Sequence, residues 1–192
     1  MRSLSYDVSK VHVIYNGVEL TNQSFSNNRI KTVLFLSNNI SIQKGYHHFV
    51  ELSKKLKADF PNVRFLWVGQ DKLRGGTFET IGYVWSQQVL QDLFRSCYLL
   101  LLPSLWPEPM SYSVLQAMAW EKPVVAYDVG ANREAIIHNE TGLLTEWGNI
   151  KCLTSNVRKL LVDEKLALQM GKNAKKRVKE KFSVEKMAFS YG

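Results

Sequence analysis

Residues 99–127, LLLLPSLWPEPMSYSVLQAMAWEKPVVAY, contain the pattern that decides the fold. The apolar runs LLLL and VVAY stand near the two ends, and a segment with helical spacing of apolar residues lies between them. Short runs that are apolar throughout are typical of strands buried on both faces, and parallel sheets are built from such strands with a helix between them. The stretch therefore predicts a strand, a loop, a helix and a second, parallel strand.

The same alternation continues on both sides of this stretch. Short apolar runs bounded by Gly, Asn, Ser or Pro predict strands at residues 11–15, 32–36, 63–68, 99–102 and 123–127. Helical patterns predict helices at residues 43–58, 87–96, 110–120, 133–137, 150–161 and 165–181. The chain is therefore predicted to be an α/β protein with a doubly wound parallel sheet. Such sheets bind ligands at the carboxyl ends of their strands.

The composition is that of a globular protein. Of the 192 residues, 45% are hydrophobic and 22% are charged, which excludes the disordered and collagen-like classes. The apolar run at residues 98–103 is far shorter than the roughly 20 residues that span a bilayer, and no signal-peptide pattern opens the chain, so we expect a cytoplasmic protein. Cys97 and Cys152 are too few for a disulfide framework or a four-ligand zinc site, and we expect both to be buried thiols.

The net charge of +8 is concentrated at the C-terminal end. Residues 151–192 carry 11 basic and 4 acidic side chains, a net charge of +7, so the rest of the chain is almost neutral. An apolar stripe bordered by lysines follows the helix predicted there: Leu166, Met170, Ala174, Val178 and Phe182. The stripe either packs on its own domain or lies on an anionic membrane surface. No base-reading motif accompanies the charge, so we expect no nucleic-acid partner.

Two loops that follow predicted strands carry candidate site residues. The loop at residues 37–45, SNNISIQKG, brings Lys44 and Gly45 to the start of a helix, where a lysine beside free backbone N–H groups suits a phosphate. The loop at residues 102–110, LPSLWPEPM, places Glu108 just before a helix that carries Gln116. Eight helical residues rise roughly 12 Å and leave both side chains on one side, within reach of an elongated ligand. Solvation of the lysine and capping of the helix dipole by Glu108 are the alternatives.

A third loop, DVGANRE at residues 128–134, follows the last predicted strand. Gly130 allows a positive φ or a close approach to a ligand, and a simple turn is the alternative.

Residues 103–144, PSLWPEPMSYSVLQAMAWEKPVVAYDVGANREAIIHNETGLL, resemble the donor-site signature of retaining GT-B glycosyltransferases, the glycogen-synthase-like and mannosyltransferase-like family 4 group. In that family an E-x7-E motif precedes an A-M-A helix, P-V-V-A, a glycine loop and a T-G-x-L strand. The resemblance continues upstream through IGYV, FPNVRFLWVGQ, the Lys-Gly loop and VIYNGVEL, and downstream through LQMGKNAKKRVKEKFS. It therefore covers nearly the whole chain.

The resemblance implies an enzyme of two Rossmann-like domains, of which the N-terminal one binds the acceptor and the C-terminal one the nucleotide sugar. This chain resembles only the second: residues 1–25 correspond to the crossing segment between domains and residues 26–192 to the donor-binding domain. The implied function is transfer of a hexosyl group from a UDP-sugar or GDP-sugar to a glycan or lipid-linked acceptor, without a metal. The acceptor domain would be supplied in cis or in trans. The alternative is a non-catalytic interaction or membrane-associated module with a degenerate donor site.

Individual residues match the functional positions of the family. Glu108 matches the motif glutamate beside the donor sugar, and Lys44 matches the lysine that offsets the charge of the leaving diphosphate. The backbone N–H groups of Met110 and Ser111, which follow Pro109, match those that meet the sugar and the distal phosphate. The loop that lies against the base is matched by Tyr83 and Val84.

Four positions depart from the family pattern. Gln116 replaces the second motif glutamate, which accepts hydrogen bonds from ribose hydroxyls, and glutamine keeps an acceptor but loses the charge. Asn38 or Asn39 stands where an arginine usually clamps the phosphates. Ser111 and Glu121 replace glycines of the family. These departures predict a weaker donor site.

Overall fold

The structure, a computed structural model, describes residues 11–22, 30–70 and 76–191. Its parallel strands form one sheet in the order β3-β2-β1-β4-β5-β6. The strands are β1 (Thr32–Leu36), β2 (Arg64–Val68), β3 (Glu79–Ile81), β4 (Leu99–Leu102), β5 (Val124–Tyr127) and β6 (Gly142–Thr145). Strand order reverses between β1 and β4, so the loops after these two strands flank the topological switch point of the sheet.

Helices cover both faces of this sheet, as the sequence predicts for a doubly wound fold. They are α1 (Tyr46–Asp59), α2 (Gln87–Ser96), α3 (Tyr112–Ala119), α4 (Asn132–Ala135), α5 (Ile150–Val162), α6 (Glu164–Lys181) and α7 (Val184–Phe189). Leu34 and Leu100 face a core that contains side chains of α2, α3 and α6, whereas Val33 and Leu99 face a core that contains side chains of α1 and α5. Successive residues of a strand point to opposite faces, so the central strands are apolar throughout.

The strand predicted at residues 11–15 is not formed. Val11 and Val13 are exposed, whereas the Tyr15 ring packs edge-on against Phe182 with 5.3 Å between ring centroids. Val18 is buried, and its backbone N–H donates to the carbonyl of Phe182 at 2.9 Å. The apolar run was misinterpreted because Tyr15, which is half-buried, packs on Phe182 of the C-terminal segment, and none of its residues pairs within the sheet.

The predicted boundary of a crossing segment at residue 25 cannot be located in the fold. Residues 1–10 and 23–29 lie outside the described residues. The described part of the segment, residues 11–22, lies against the end of α6 and the start of α7 through Val18, which bridges to Ser183.

Two short elements had too weak a pattern to be predicted: β3, which has a single aliphatic side chain, and α7, which has no fully buried residue. One cysteine expectation was also wrong. Cys97 is buried, and burial raises the pKa of its thiol to about 12, but Cys152 is exposed on the first turn of α5.

The apolar stripe of α6 packs on its own domain. Met170, Ala174 and Val178 are buried in the core, and the neighbouring residues Lys172 and Lys176 are exposed. Within the described ranges, no helix is both long enough and apolar enough to cross a membrane.

Helix α6 approaches the turn between α3 and β5 very closely at Gly171. A Cβ atom on Gly171 would lie 2.0 Å from the carbonyl oxygen of Glu121. Glu121 has φ of 56°, a left-handed conformation that favours glycine and costs other residues about 1–2 kcal/mol. The glutamate is held there by an ion pair of 3.1 Å with Lys175 of α6. Glu121 thus keeps the backbone conformation expected of the family glycine that it replaces.

We expect Gly171→Ala to lower the free energy of unfolding by about 2 kcal/mol, because the new methyl group overlaps backbone that must move. Lys172→Ala, one residue along the same helix and exposed, should change it by less than about 0.5 kcal/mol. Urea denaturation of both variants checks this, and equal effects would show that the close approach does not constrain the packing.

Candidate functional site

A cavity of about 410 Å³ opens at the switch point between β1 and β4. Its walls come from the loops after these strands, from the segment after β3 and from α3. Eight residues predicted from the sequence line it: Asn38, Lys44, Tyr83, Val84, Glu108, Met110, Ser111 and Gln116. The structure therefore brings most of the predicted site residues together.

Three predicted residues do not line the cavity. Asn39 is exposed on the loop after β1, and Gly45 is buried directly behind Lys44. Pro109 lies between two lining residues without lining the cavity itself. Gly45 and Pro109 can shape the loops, but their own atoms do not form the cavity wall.

Lys44 and Glu108 form an ion pair between Nζ and Oε1 at the centre of the site. Their side chains are 38% and 17% exposed. The hydroxyl of the fully buried Ser104 lies 3.3 Å from the same Glu108 oxygen. Lys44 and Glu108 are the charged side chains that line the cavity, and their formal charges cancel.

Backbone hydrogen bonds hold the three predicted loops against one another. The carbonyl of Gln43 accepts from the N–H groups of Leu105 at 2.7 Å and Trp106 at 3.2 Å, which joins the first loop to the second. The carbonyl of Glu108 accepts from the N–H of Ala131 at 2.9 Å, which joins the second loop to the third. Lys44 and Glu108 are therefore held on connected backbone.

Glycine is required where these loops cross. Gly45 has φ of 73°, and a Cβ atom there would lie 1.8 Å from the carbonyl oxygen of Pro103. Gly130 has φ of 56°, and its Cβ atom would lie 2.5 Å from the carbonyl oxygen of Glu108. Gly130 thus has the positive φ that the sequence allows, and its close approach is to the loop that carries Glu108.

Helix α3 points its N-terminus at the cavity. It begins at Tyr112, two residues later than predicted, so Glu108 lies on a loop and only part of its separation from Gln116 is helical. Ser111 is the N-cap residue with an ordinary φ of −76°, so it replaces the family glycine without strain. Among the described residues, none accepts a hydrogen bond from the backbone N–H of Met110 or Ser111. These two groups and the helix dipole favour an anion here.

Neutral polar side chains and apolar side chains line the rest of the walls. Ser111 and Ser113 hydroxyls are 3.0 Å apart. Within the described ranges, the side-chain amide of Gln116 forms no hydrogen bond. Ser113 was missed by the sequence analysis, although its position three residues before Gln116 places both on one helix face. Ser104 was also missed, because a serine in a loop gives no signal that it is buried.

Aromatic side chains border the cavity on the side of β3. The rings of Tyr83 and Trp85 are tilted against each other with 4.5 Å between centroids, and Tyr83 lines the cavity with Val84. Trp106, two residues before Glu108, is 56% exposed and does not line the cavity.

In the first turn of α1, His47 is exposed and His48 is half-buried. The Nδ1 atom of His48 lies 2.9 Å from the Tyr127 hydroxyl. Burial lowers the pKa of His48, and the neighbouring His47 lowers it further. Burial also raises the pKa of Tyr127. The contact therefore joins two neutral groups and ties α1 to the end of β5.

No cluster of three metal-ligating side chains (His, Cys, Asp or Glu) occurs among residues 11–22, 30–70 and 76–191. The expectation that the site needs no metal stays a prediction.

Gly45→Ala should lower the free energy of unfolding by about 3 kcal/mol, because it adds overlap with Pro103 to the strain of a positive φ. Gly148→Ala is the matched control, since Gly148 has φ of 74° and open space around its Cα, and should lower it by only about 1 kcal/mol. Thermal and urea unfolding of both variants measure the difference. Equal losses of unfolding free energy in the two variants would show that the contact with Pro103 does not require glycine at position 45.

Comparison with known proteins identifies the family. The family model for glycosyl transferases group 1 matches residues 19–177. The capsular polysaccharide biosynthesis glycosyltransferase CapM of Staphylococcus aureus is 26% identical over 187 residues, which cover 88% of this chain and 49% of CapM. The chain spans about half or less of the length of curated relatives that it matches.

Solved structures share the fold. The crystal structure of S. aureus TarM in complex with UDP has a TM-score of 0.82 at 22% identity, covering 97% of this chain and 39% of TarM. The C-terminal domain of LpcC from Francisella tularensis, a glycosyl transferase group 1 family protein, has a TM-score of 0.72 at 19% identity. That match covers 89% of this chain and 97% of the LpcC domain. These structures share the fold, and the match of the family model to residues 19–177 shows that the chain belongs to the glycosyl transferases group 1 family.

Proposed function

We propose that this chain is the nucleotide-sugar-binding half of a retaining glycosyltransferase, which transfers a hexosyl group from a UDP-sugar or GDP-sugar to a glycan or lipid-linked acceptor. The observation that carries the proposal is the cavity at the switch point, where Lys44 faces the N-terminus of α3. Two relatives support it: TarM was solved with UDP, and CapM acts in capsular polysaccharide biosynthesis according to its name.

The diphosphate is assigned to the end of the cavity near Lys44. An ammonium group and the free N–H groups of Met110 and Ser111 are the donors that phosphate oxygens need. Asn38 lines the same region and offers an amide where the family has an arginine. Donor binding therefore relies on one cation and on backbone groups.

The nucleoside is assigned to the remainder of the cavity. Gln116 lies one turn, about 6 Å, further along α3 than Tyr112, so it can reach the ribose when the phosphates lie at the helix N-terminus. Tyr83, Val84 and Leu90 form the wall beyond it, and their largely apolar surface suits the faces of a base.

In the reaction, Lys44 and the helix N-terminus stabilise the negative charge that develops on the leaving nucleoside diphosphate. Glu108 lies beside the phosphate end, where its carboxylate stabilises positive charge on the sugar once the diphosphate has drawn Lys44 away. No step in this scheme uses a metal. The acceptor is held by a second domain, in cis or in trans, that faces these loops.

Calorimetric titration with UDP, GDP and their sugars tests this function, and we expect saturable binding of at least one of them. Lys44→Met should weaken that binding at least about tenfold, because a hydrogen bond to a charged group is lost. Lys54→Met removes the same charge from an exposed position on α1 and should leave the affinity unchanged. No saturable heat at millimolar ligand would contradict the proposal and favour a non-catalytic module with a degenerate site.

A second role, attachment to an anionic membrane surface, is favoured by one surface of the molecule. A groove of about 270 Å³ beside α6 is lined by Leu20, Glu121 and four lysines: Lys172, Lys175, Lys176 and Lys179. An adjoining groove, which shares Leu20 and Lys179, includes Phe189, whose side chain is 84% exposed. Lysines around exposed apolar side chains are the combination that binds anionic lipid.

Replacing Lys172, Lys176 and Lys179 by serine should lower binding to phosphatidylserine vesicles about 100-fold, since each lysine near such a surface contributes about 1 kcal/mol. Replacing Lys54, Lys151 and Lys159 by serine removes the same charge elsewhere and should have a much smaller effect. Vesicle co-sedimentation measures both variants. Equal binding to neutral and anionic vesicles would remove this role.

A further inference from the structure

The nucleoside end of the cavity carries no charged side chain. The lining side chains with formal charge are Lys44 and Glu108, and they are paired with each other. The polar groups that remain on the walls are amides and hydroxyls, among them Asn38, Ser113 and Gln116. A ligand that enters this end therefore meets neutral polar groups and the apolar side chains of Val84 and Leu90, but no charge.

Gln116 is the group best placed to contact a sugar ring there. Gln116 is partly buried and projects from the middle of α3. No described residue forms a hydrogen bond with its side-chain amide. Ser113 lies on the same face of the helix, one turn nearer to the N-terminus. The Gln116 amide is thus available to a ligand. The paired hydroxyls of Ser111 and Ser113 lie nearer to the N-terminus of the helix.

An amide and a carboxylate respond differently when a ligand lacks a hydroxyl group. A carboxylate is charged and can only accept hydrogen bonds. If the ligand lacks the hydroxyl that would donate to it, a charged acceptor in a partly buried site is left without a partner, and this lowers the affinity. A neutral amide has one acceptor oxygen and two N–H donors, and it loses only an ordinary hydrogen bond, worth a few-fold in affinity.

We propose that Gln116 makes this site tolerant of 2′-deoxyribose, so that the nucleotides it accepts include 2′-deoxynucleoside diphosphates and their sugars. The inference rests on the proposed function, because it assumes that the pentose lies beside Gln116. It adds a specificity-determining residue and a substrate class to that function. Loss of the 2′-hydroxyl weakens binding about 3-fold with glutamine at position 116 and about 30-fold with a carboxylate there.

The experiment compares matched nucleotides on the full chain by calorimetry: UDP with 2′-deoxy-UDP, and GDP with 2′-deoxy-GDP. For whichever pair binds, the affinity ratio of ribose to deoxyribose form should be about 3 for the unmodified chain and about 30 for Gln116→Glu. Asn38→Asp is the control, because it adds the same charge to another wall of the cavity. It should weaken both members of a pair equally and leave the ratio unchanged.

The outcomes separate this inference from the proposed function. A ratio near 30 in the unmodified chain, or a ratio that Gln116→Glu does not raise, overturns the role of Gln116 while nucleotide binding stands. A ratio that rises equally in Asn38→Asp also overturns it, because added charge alone would then explain the effect. Failure of all four nucleotides to bind at millimolar concentration contradicts both. Thermal melting of each variant checks that it is folded.

Discussion

Lys44 lies on the loop after β1 and Glu108 on the loop after β4, and the ion pair between them joins loops that are 64 residues apart in the chain. Parallel pairing of β1 with β4 brings both loops to one edge of the sheet. The carbonyl of Gln43 then bonds the second loop, and Gly45 lets the two backbones touch at Pro103. The ion pair is thus one part of a contact between two loops that the sheet topology brings together.

The strength of this ion pair determines whether an anion that enters the cavity can bind Lys44. A partly exposed ion pair contributes only about 1 kcal/mol, so it can be exchanged for a better partner. A diphosphate carries more charge than one carboxylate and also reaches the N–H groups of Met110 and Ser111. Binding of a nucleotide would therefore take Lys44 from Glu108 and free that carboxylate beside the sugar.

The sequence was sufficient for most of the sheet because burial on both faces leaves a local signature. The LLLL and VVAY runs are β4 and β5, and the loops after β1 and β4 hold Lys44 and Glu108 as expected. Residues 11–15 show the same signature without forming a strand: Val11 and Val13 are exposed, and Tyr15 packs on Phe182. The ion pair and the burial of Ser104 depend on contacts between distant segments, which no local pattern records.

The exchange of Lys44 between a carboxylate and a diphosphate is tested most directly by a double-mutant cycle in UDP binding. UDP lacks the sugar that is transferred, so Glu108 acts on it chiefly by competing for Lys44. Glu108→Gln should raise the affinity for UDP about 5-fold in the unmodified chain, in keeping with the modest strength of such a pair, and should change it little in Lys44→Met. An affinity that falls on Glu108→Gln, or a change of the same size in both backgrounds, would contradict the account.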